Sequence, residues 1–229
     1  MTARLRQAVL VAAELDPVVA RLRGALGLCE PFSDPAVAVF GLQNAVFALG
    51  DTFLEVVSPV QEGTAAGRWL ARRGGDSGYM VMFEVDDLGP ARDRAAGFGV
   101  REVFEVELED MAEVHLHPAD MAGAIVALSM PRPPGSWRWG GPGWRERSSP
   151  ASLAGVTIAV GDPETVSARW REVLGVPAES AGVRFTEDGA EAGLVEITIA
   201  GAPEGQHPGL NVNLGAVCMH LMHRAPKFE

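Results

Sequence analysis

The sequence predicts an α+β fold of repeated β-α-β-β-β modules, whose curved mixed sheets form a cup-like half barrel with the helices outside. Three observations carry that expectation. A β-prone apolar run, a helix headed by Asp, and further short apolar runs recur in that order three times. Gln7, Met80 and Gly155 hold the same place in the leading run, nine, seven and seven residues before Asp16, Asp87 and Asp162. They lie 73 and 75 residues apart (80 − 7 and 155 − 80), a repeat sharper than any single motif in the chain.

Each element follows from a local pattern. Leu5–Ala13 is an apolar strand candidate. Asp16–Pro17 supplies a capping carboxylate and a Pro at the first helical position, and Val18, Leu22, Ala25 and Leu26 recur at helical spacing up to Gly27. Val37–Phe40, Asn44–Leu49 and Thr52–Ser58 then read as three strands. The second module runs from the strand Gly78–Val85 through a helix started by Asp86–Asp87. The strand candidates Val100–Leu108, Glu113–His117 and Gly123–Met130 follow. The third has Leu153–Val160, a second Asp-Pro helix start at Asp162–Pro163, and the runs Gly182–Thr186, Gly193–Ala200 and Ala216–His223. Residues 1–132 are thus expected to hold two paired modules (1–60 and 77–131), residues 133–150 a linker and residues 151–229 a third module. The linker is rich in Pro, Gly and Ser yet carries Trp137, Trp139 and Trp144. Those rings either pack across a domain surface or lid the mouth of a pocket.

The stretch FLEVVSP, Phe53–Pro59, places one carboxylate inside an apolar strand. Phe53, Glu55 and Val57 share a face. A buried Glu is costly unless it faces water, pairs with a cation or binds a metal, so Glu55 is either a solvated charge or a site residue.

Composition excludes several partners. The net charge of −11 and pI near 4.9 argue against nucleic acid and anionic membranes. No run approaches the length of a membrane span. Two cysteines, Cys29 and Cys218, make no disulfide framework, and reduced thiols in a cytoplasmic protein are expected.

In its repeat, its Asp-headed helices and the stretches FLEVVSP, RRGGDSGYMVMFEVDDL and LHPADMAGAIVALSMP, the chain resembles the vicinal oxygen chelate superfamily of glyoxalases, bleomycin-resistance proteins and dioxygenases. The resemblance covers nearly the whole chain. It implies two modules closing a cup around a divalent metal, held by one ligand from the first and one from the last strand of each module, and acting as a Lewis acid. Carried over, Gln7 and Glu55 are the metal ligands of the first module. In the second, Met80 and Ala127 stand at the ligand positions; a thioether and a methyl group do not serve a hard ion. The resemblance therefore implies one divalent metal or none, and argues against ordinary glyoxalase I or epimerase chemistry.

Glu55, His115 and His117 are the catalytic candidates. The two histidines lie two apart on a strand, beside Glu113, but HPAD also reads as a turn. Met80, Met82 and Trp139 are candidates for contacting a ligand. His220 takes the Glu55 place in the third module, with Gly155 opposite. Three functions compete: a glyoxalase-like lyase, isomerase or dioxygenase acting on a small organic substrate, a metal-free protein that sequesters a small molecule, and a structural or regulatory protein whose third module mediates assembly. An odd third module would leave an apolar concave face open, which predicts a homodimer through residues 151–229.

Overall fold

The computed structural model describes residues 3–187, 192–201 and 211–222. Strand β1 (Ala3–Val11) leads to helix α1 (Leu15–Leu26), a 3-10 turn (Pro35–Phe40), β2 (Leu42–Leu49) and β3 (Thr52–Pro59). Then come α2 (Ala65–Arg73), β4 (Ser77–Val85), α3 (Leu88–Gly97), β5 (Glu102–Glu107), β6 (Met111–Leu116) and β7 (Ile125–Pro131). After a Trp-bearing strap follow β8 (Ser152–Val160), α4 (Pro163–Leu174), β9 (Val183–Glu187), β10 (Gly193–Ala200), β11 (Asn211–Leu214) and β12 (Val217–Met222).

These strands form two mixed sheets, ordered β2-β3-β1-β4-β7-β6-β5 and β11-β12-β10-β8-β9. The α+β architecture is as expected, and β1 and β4 pair antiparallel at the centre of the larger sheet. Asp162 and Asp87 cap α4 and α3 by accepting hydrogen bonds from the Thr165 and Gly89 amides.

Local details differ from expectation for identifiable reasons. Val37–Phe40 is no strand: Asp34 accepts a hydrogen bond from the Ala36 amide and Pro35 presets the backbone, so the segment coils into a 3-10 turn. Asp16 lies inside the first turn of α1 rather than capping it. Helix α2 follows a Thr64 cap that the sequence reading passed over.

The third stretch pairs unlike a β-α-β-β-β module. β8 is parallel to β9, its partner across α4, while β10 runs antiparallel to β8 and parallel to β12. Two shortened half-modules thus meet at β8 and β10, as β1 and β4 meet in the larger sheet.

One apolar layer lies between the sheets. It takes Ala8, Leu10, Leu54, Val56, Val81 and Phe83 from the first and Val156, Ile158, Ile197, Ile199, Met219 and Leu221 from the second. Apolar stripes of α1, α3 and α4 complete it. The sheets approach so closely that a Cβ at Gly78 would collide with Leu194. The apolar side chains of these strands are therefore turned into this layer, not onto the concave face expected to lie open. The opposite face carries Thr157, Arg184, Glu196, Cys218 and His220, so the homodimer expectation loses its premise. Cys29 is exposed and Cys218 half-buried; both are free thiols. His223 lies outside the described residues.

The other face of the seven-stranded sheet is concave. Phe40, just before edge strand β2, meets Phe104 on the opposite edge strand β5 with ring centroids 5.2 Å apart. The cup holds a second apolar cluster that includes Val9, Phe53, Met80, Met82, Met111 and Ala127, together with Trp69 of α2 and Trp137 and Trp144 of the strap.

Candidate functional site

Strand pairing builds the floor of the cup. β1 and β3 run parallel with Gln7 opposite Phe53 and Val9 opposite Glu55, so Gln7 and Glu55 are diagonal neighbours on one face. They converge as expected. Glu55 Oε2 accepts a hydrogen bond from Gln7 Nε2 at 2.7 Å, and Oε1 accepts one from Asn44 Nδ2 at 2.6 Å. Each amide is oriented by its other end. Asn44 Oδ1 accepts from the Asp34 amide at 2.8 Å, and Gln7 Oε1 accepts from the Trp137 indole N–H at 2.8 Å.

Glu55 is buried, and burial pushes its carboxyl up to about 7 despite the lowering effect of the Asn44 and Gln7 hydrogen bonds. The solvated-charge reading of Glu55 is thereby replaced: it is buried and held by two carboxamides.

The strap covers this floor. Trp137 stacks on Phe53 (6.1 Å, 17° between planes), and Trp144 meets the same ring edge-on at 5.1 Å. Gly140 packs so tightly on Phe53 that a Cβ there would strike the ring. Arg6, fully buried at the bulge between Leu5 and Gln7, pairs with Glu84 at 2.5 Å and sits 5.0 Å from the Trp137 ring centroid. Glu84 in turn accepts from the Gly135 amide at 2.9 Å, tying the strap to β4.

A second polar group sits on β6 and β7. Glu113 Oε2 accepts from Ser129 Oγ (2.5 Å) and the Trp139 indole N–H (2.7 Å), while Oε1 is 2.8 Å from His115 Nε2. His115 thus faces the cup, against Phe104 (4.7 Å). His117 does not join it, because β6 ends at Leu116. Its Nδ1 accepts from the Ala119 amide at 3.1 Å and lies 3.3 Å from Arg101, in the turn held by Asp120. Met80 and Met82 line the cup with Ala127 in register beside Met82. The partner of His220 is Glu196, 3.7 Å away, rather than Gly155, because β10 and not β8 lies next to β12.

Arg6, Asn44, Glu113 and Trp137 are site residues that sequence reasoning missed or left unassigned. Arg6 and Asn44 offered one signal, a polar side chain inside a run otherwise read as apolar strand.

The residues present do not fit a divalent metal. Both oxygens of Glu55 and the Gln7 amide oxygen already hold N–H donors, and the other two positions are Met80 and Ala127. Among the described residues no three of His, Cys, Asp and Glu cluster in a way that could hold an ion. Two surface hollows, one beside α4 near Arg171 and Phe185 and one over Val60–Gly63, lie away from Glu55.

This two-module cup, with a Gln and a Glu on its first and last strands, is that of the vicinal oxygen chelate superfamily. Within it the chain belongs to the glyoxalase-like domain family, whose model matches residues 8–174. An ethylmalonyl-CoA/methylmalonyl-CoA epimerase of Cereibacter sphaeroides is 27% identical over 134 residues, 56% of this chain and 98% of the epimerase. The structure of Streptomyces coelicolor methylmalonyl-CoA epimerase in complex with 2-nitronate-propionyl-CoA is similar with a TM-score of 0.51 and 21% identity, over 57% of this chain and 99% of that one. A hypothetical protein from Staphylococcus aureus matches at a TM-score of 0.69 and 9% identity over 96% of this chain and 98% of its own. These structural likenesses show the fold. No helix among the described residues is long and apolar enough to cross a membrane.

Proposed function

We propose that this chain binds a small organic molecule in its first cup when the strap of residues 133–150 lifts, and that Glu55 serves without a metal as the proton acceptor of an isomerase-type reaction. The observation that carries the reading is the buried Glu55 carboxyl, poised at about 7 between Gln7 and Asn44 on the cup floor. A group with that affinity gives and takes protons with equal ease near neutral pH. It would remove a proton from a carbon next to a carbonyl, leaving the electron pair in the enolate. Protonation of the other face by a second group, for which His115 in the same cup is the candidate, completes an isomerisation with no net redox change, and Glu55 then gives its proton to solvent. The epimerase relatives support this class of chemistry, and their CoA esters are the first probes to try.

Met80, Met82, Ala127 and Phe53 support a second reading, metal-free sequestration of an apolar molecule. One experiment separates the two. The protein, treated with chelator, is incubated with 2-substituted malonyl-CoA thioesters in D2O and exchange at the α-carbon is followed by NMR. Exchange that Glu55→Gln abolishes supports the enzyme. Saturable binding with no exchange supports sequestration.

A further inference from the structure

We infer that the ligand of the first cup carries a planar aromatic ring with an N–H donor, and that Trp137 is its built-in stand-in. The inference rests on the reading that the cup takes a ligand when the strap lifts. The slot filled by Trp137 has defined walls. Phe53 offers a ring face nearly parallel to the occupant. The Arg6 guanidinium, fixed by Glu84, lies 5.0 Å from the occupant's ring and favours an electron-rich one.

The polarity of the slot is fixed from behind. The Gln7 amide N–H is committed to Glu55, so the oxygen of Gln7 must face the occupant. While Glu55 is ionised, above about pH 7, it cannot release that amide without leaving one of its own buried oxygens unpaired. The slot therefore accepts a hydrogen bond and has none to give at this point. A ring that carries only acceptors would bury the Gln7 oxygen without a donor, which a site of this kind rejects.

The strap is built to move as a unit. Between residues 133 and 148 its backbone hydrogen bonds to other backbone groups run within the strap, among the described residues. Its ladder to the sheet begins only at Ser149, paired with Ala48 and Gly50, and Arg132 anchors the other end to Asp110. What holds the middle down is side chains: Trp137 on Gln7, Trp139 on Glu113, Arg138 on Asp110, Trp144 on Phe53, and the Gly135 amide on Glu84. Lifting it breaks these side-chain contacts and leaves every strand pairing of the sheet intact.

The strap and an external ligand then compete for one slot, which makes the inference testable on the full chain. Indole, N-methylindole and the acceptor-only ring benzofuran are titrated into wild type and Trp137→Phe, with binding read by NMR and strap opening by the rate of trypsin cleavage after Arg138 and Arg145. Indole is expected to saturate and speed cleavage severalfold, with N-methylindole and benzofuran about tenfold weaker for want of the hydrogen bond. Trp137→Phe keeps the stack but loses the N–H, so the self-ligand weakens and indole should bind about tenfold tighter than to wild type. Equal affinity for all three rings, or no gain in Trp137→Phe, overturns the ligand class. So does a protein that binds and exchanges a malonyl thioester but ignores indole, and there the proposed function stands. No saturable binding of any of the three rings or of a malonyl thioester, to wild type or variant and with cleavage unchanged, overturns both.

Discussion

The two sheets carry the same centre in two states of cover. In the larger one β1 pairs with β4 through two register irregularities, between Leu5 and Gln7 and between Val9 and Leu10. β10 pairs with β8 through the same two, between Leu194 and Glu196 and between Thr198 and Ile199. The parallel partners agree as well: Val9 faces Glu55, and Thr198 faces His220. Glu196 and His220 therefore stand where Gln7 and Glu55 stand. Yet the first pair is buried at 2.7 Å under a tryptophan, while the second is 3.7 Å apart with its side chains 31% and 37% exposed. The neighbours differ in kind: Met82 and Ala127 in the cup become Thr157 and Arg184. A shared backbone thus sets which residues meet, and what covers them sets their chemistry.

The largest effect should come from uncovering the first centre. Trp137→Ala removes a fully buried, stacked and hydrogen-bonded ring and should cost about 3–5 kcal/mol in urea unfolding. Arg184→Ala at the matching open centre should stay within about 0.5 kcal/mol. Similar losses at both would erase the comparison.

The next effect is pH dependence. Glu55 titrates at about 7 in the folded chain against an ordinary 4.5, so the folded state holds the extra proton between those values. Its contribution to stability is full below about 4.5 and is lost as pH rises through about 7, at most roughly 3 kcal/mol. Glu55→Gln should flatten that slope, whereas His220→Ala should leave it in place.

Smaller again is the loss of one supporting amide. Asn44→Ala strips Glu55 Oε1 of its donor and should cost about 1–3 kcal/mol. It should also raise the Glu55 carboxyl further, since that hydrogen bond favours the ionised form. The smallest effect belongs to the half-exposed pair: Glu196→Gln should change stability by less than about 1 kcal/mol, with any loss fading in high salt.

Much of this was legible in the chain, and what was hidden has a common cause. The strand-helix starts and the convergence of Gln7 with Glu55 follow from local periodicity and repeat spacing, which act over a few residues. So does His220 at the Glu55 position. Its partner was misplaced because strand order is a long-range property: Gly155 on β8 and Glu196 on β10 are equally polar-tolerant places until the sheet closes. The tryptophans announced a lid or a packing surface, but nothing local says that Trp137 reaches 130 residues back to Gln7. Helix α2 escaped because only Ala66 and Trp69 of its nine residues are buried, too few for a helical stripe. His117 was grouped with His115 by their spacing of two, which holds only while the strand continues.

The most direct measurement is the titration of Glu55 itself, followed through the 13C shift of its carboxyl carbon in chelator-treated protein and again with excess Mg2+, Mn2+ or Zn2+. The expected midpoint is about 7 and none of the ions moves it, because both Glu55 oxygens and the Gln7 oxygen already hold N–H donors. A midpoint near the ordinary 4.5, or one that falls when a divalent ion is added, would contradict this expectation.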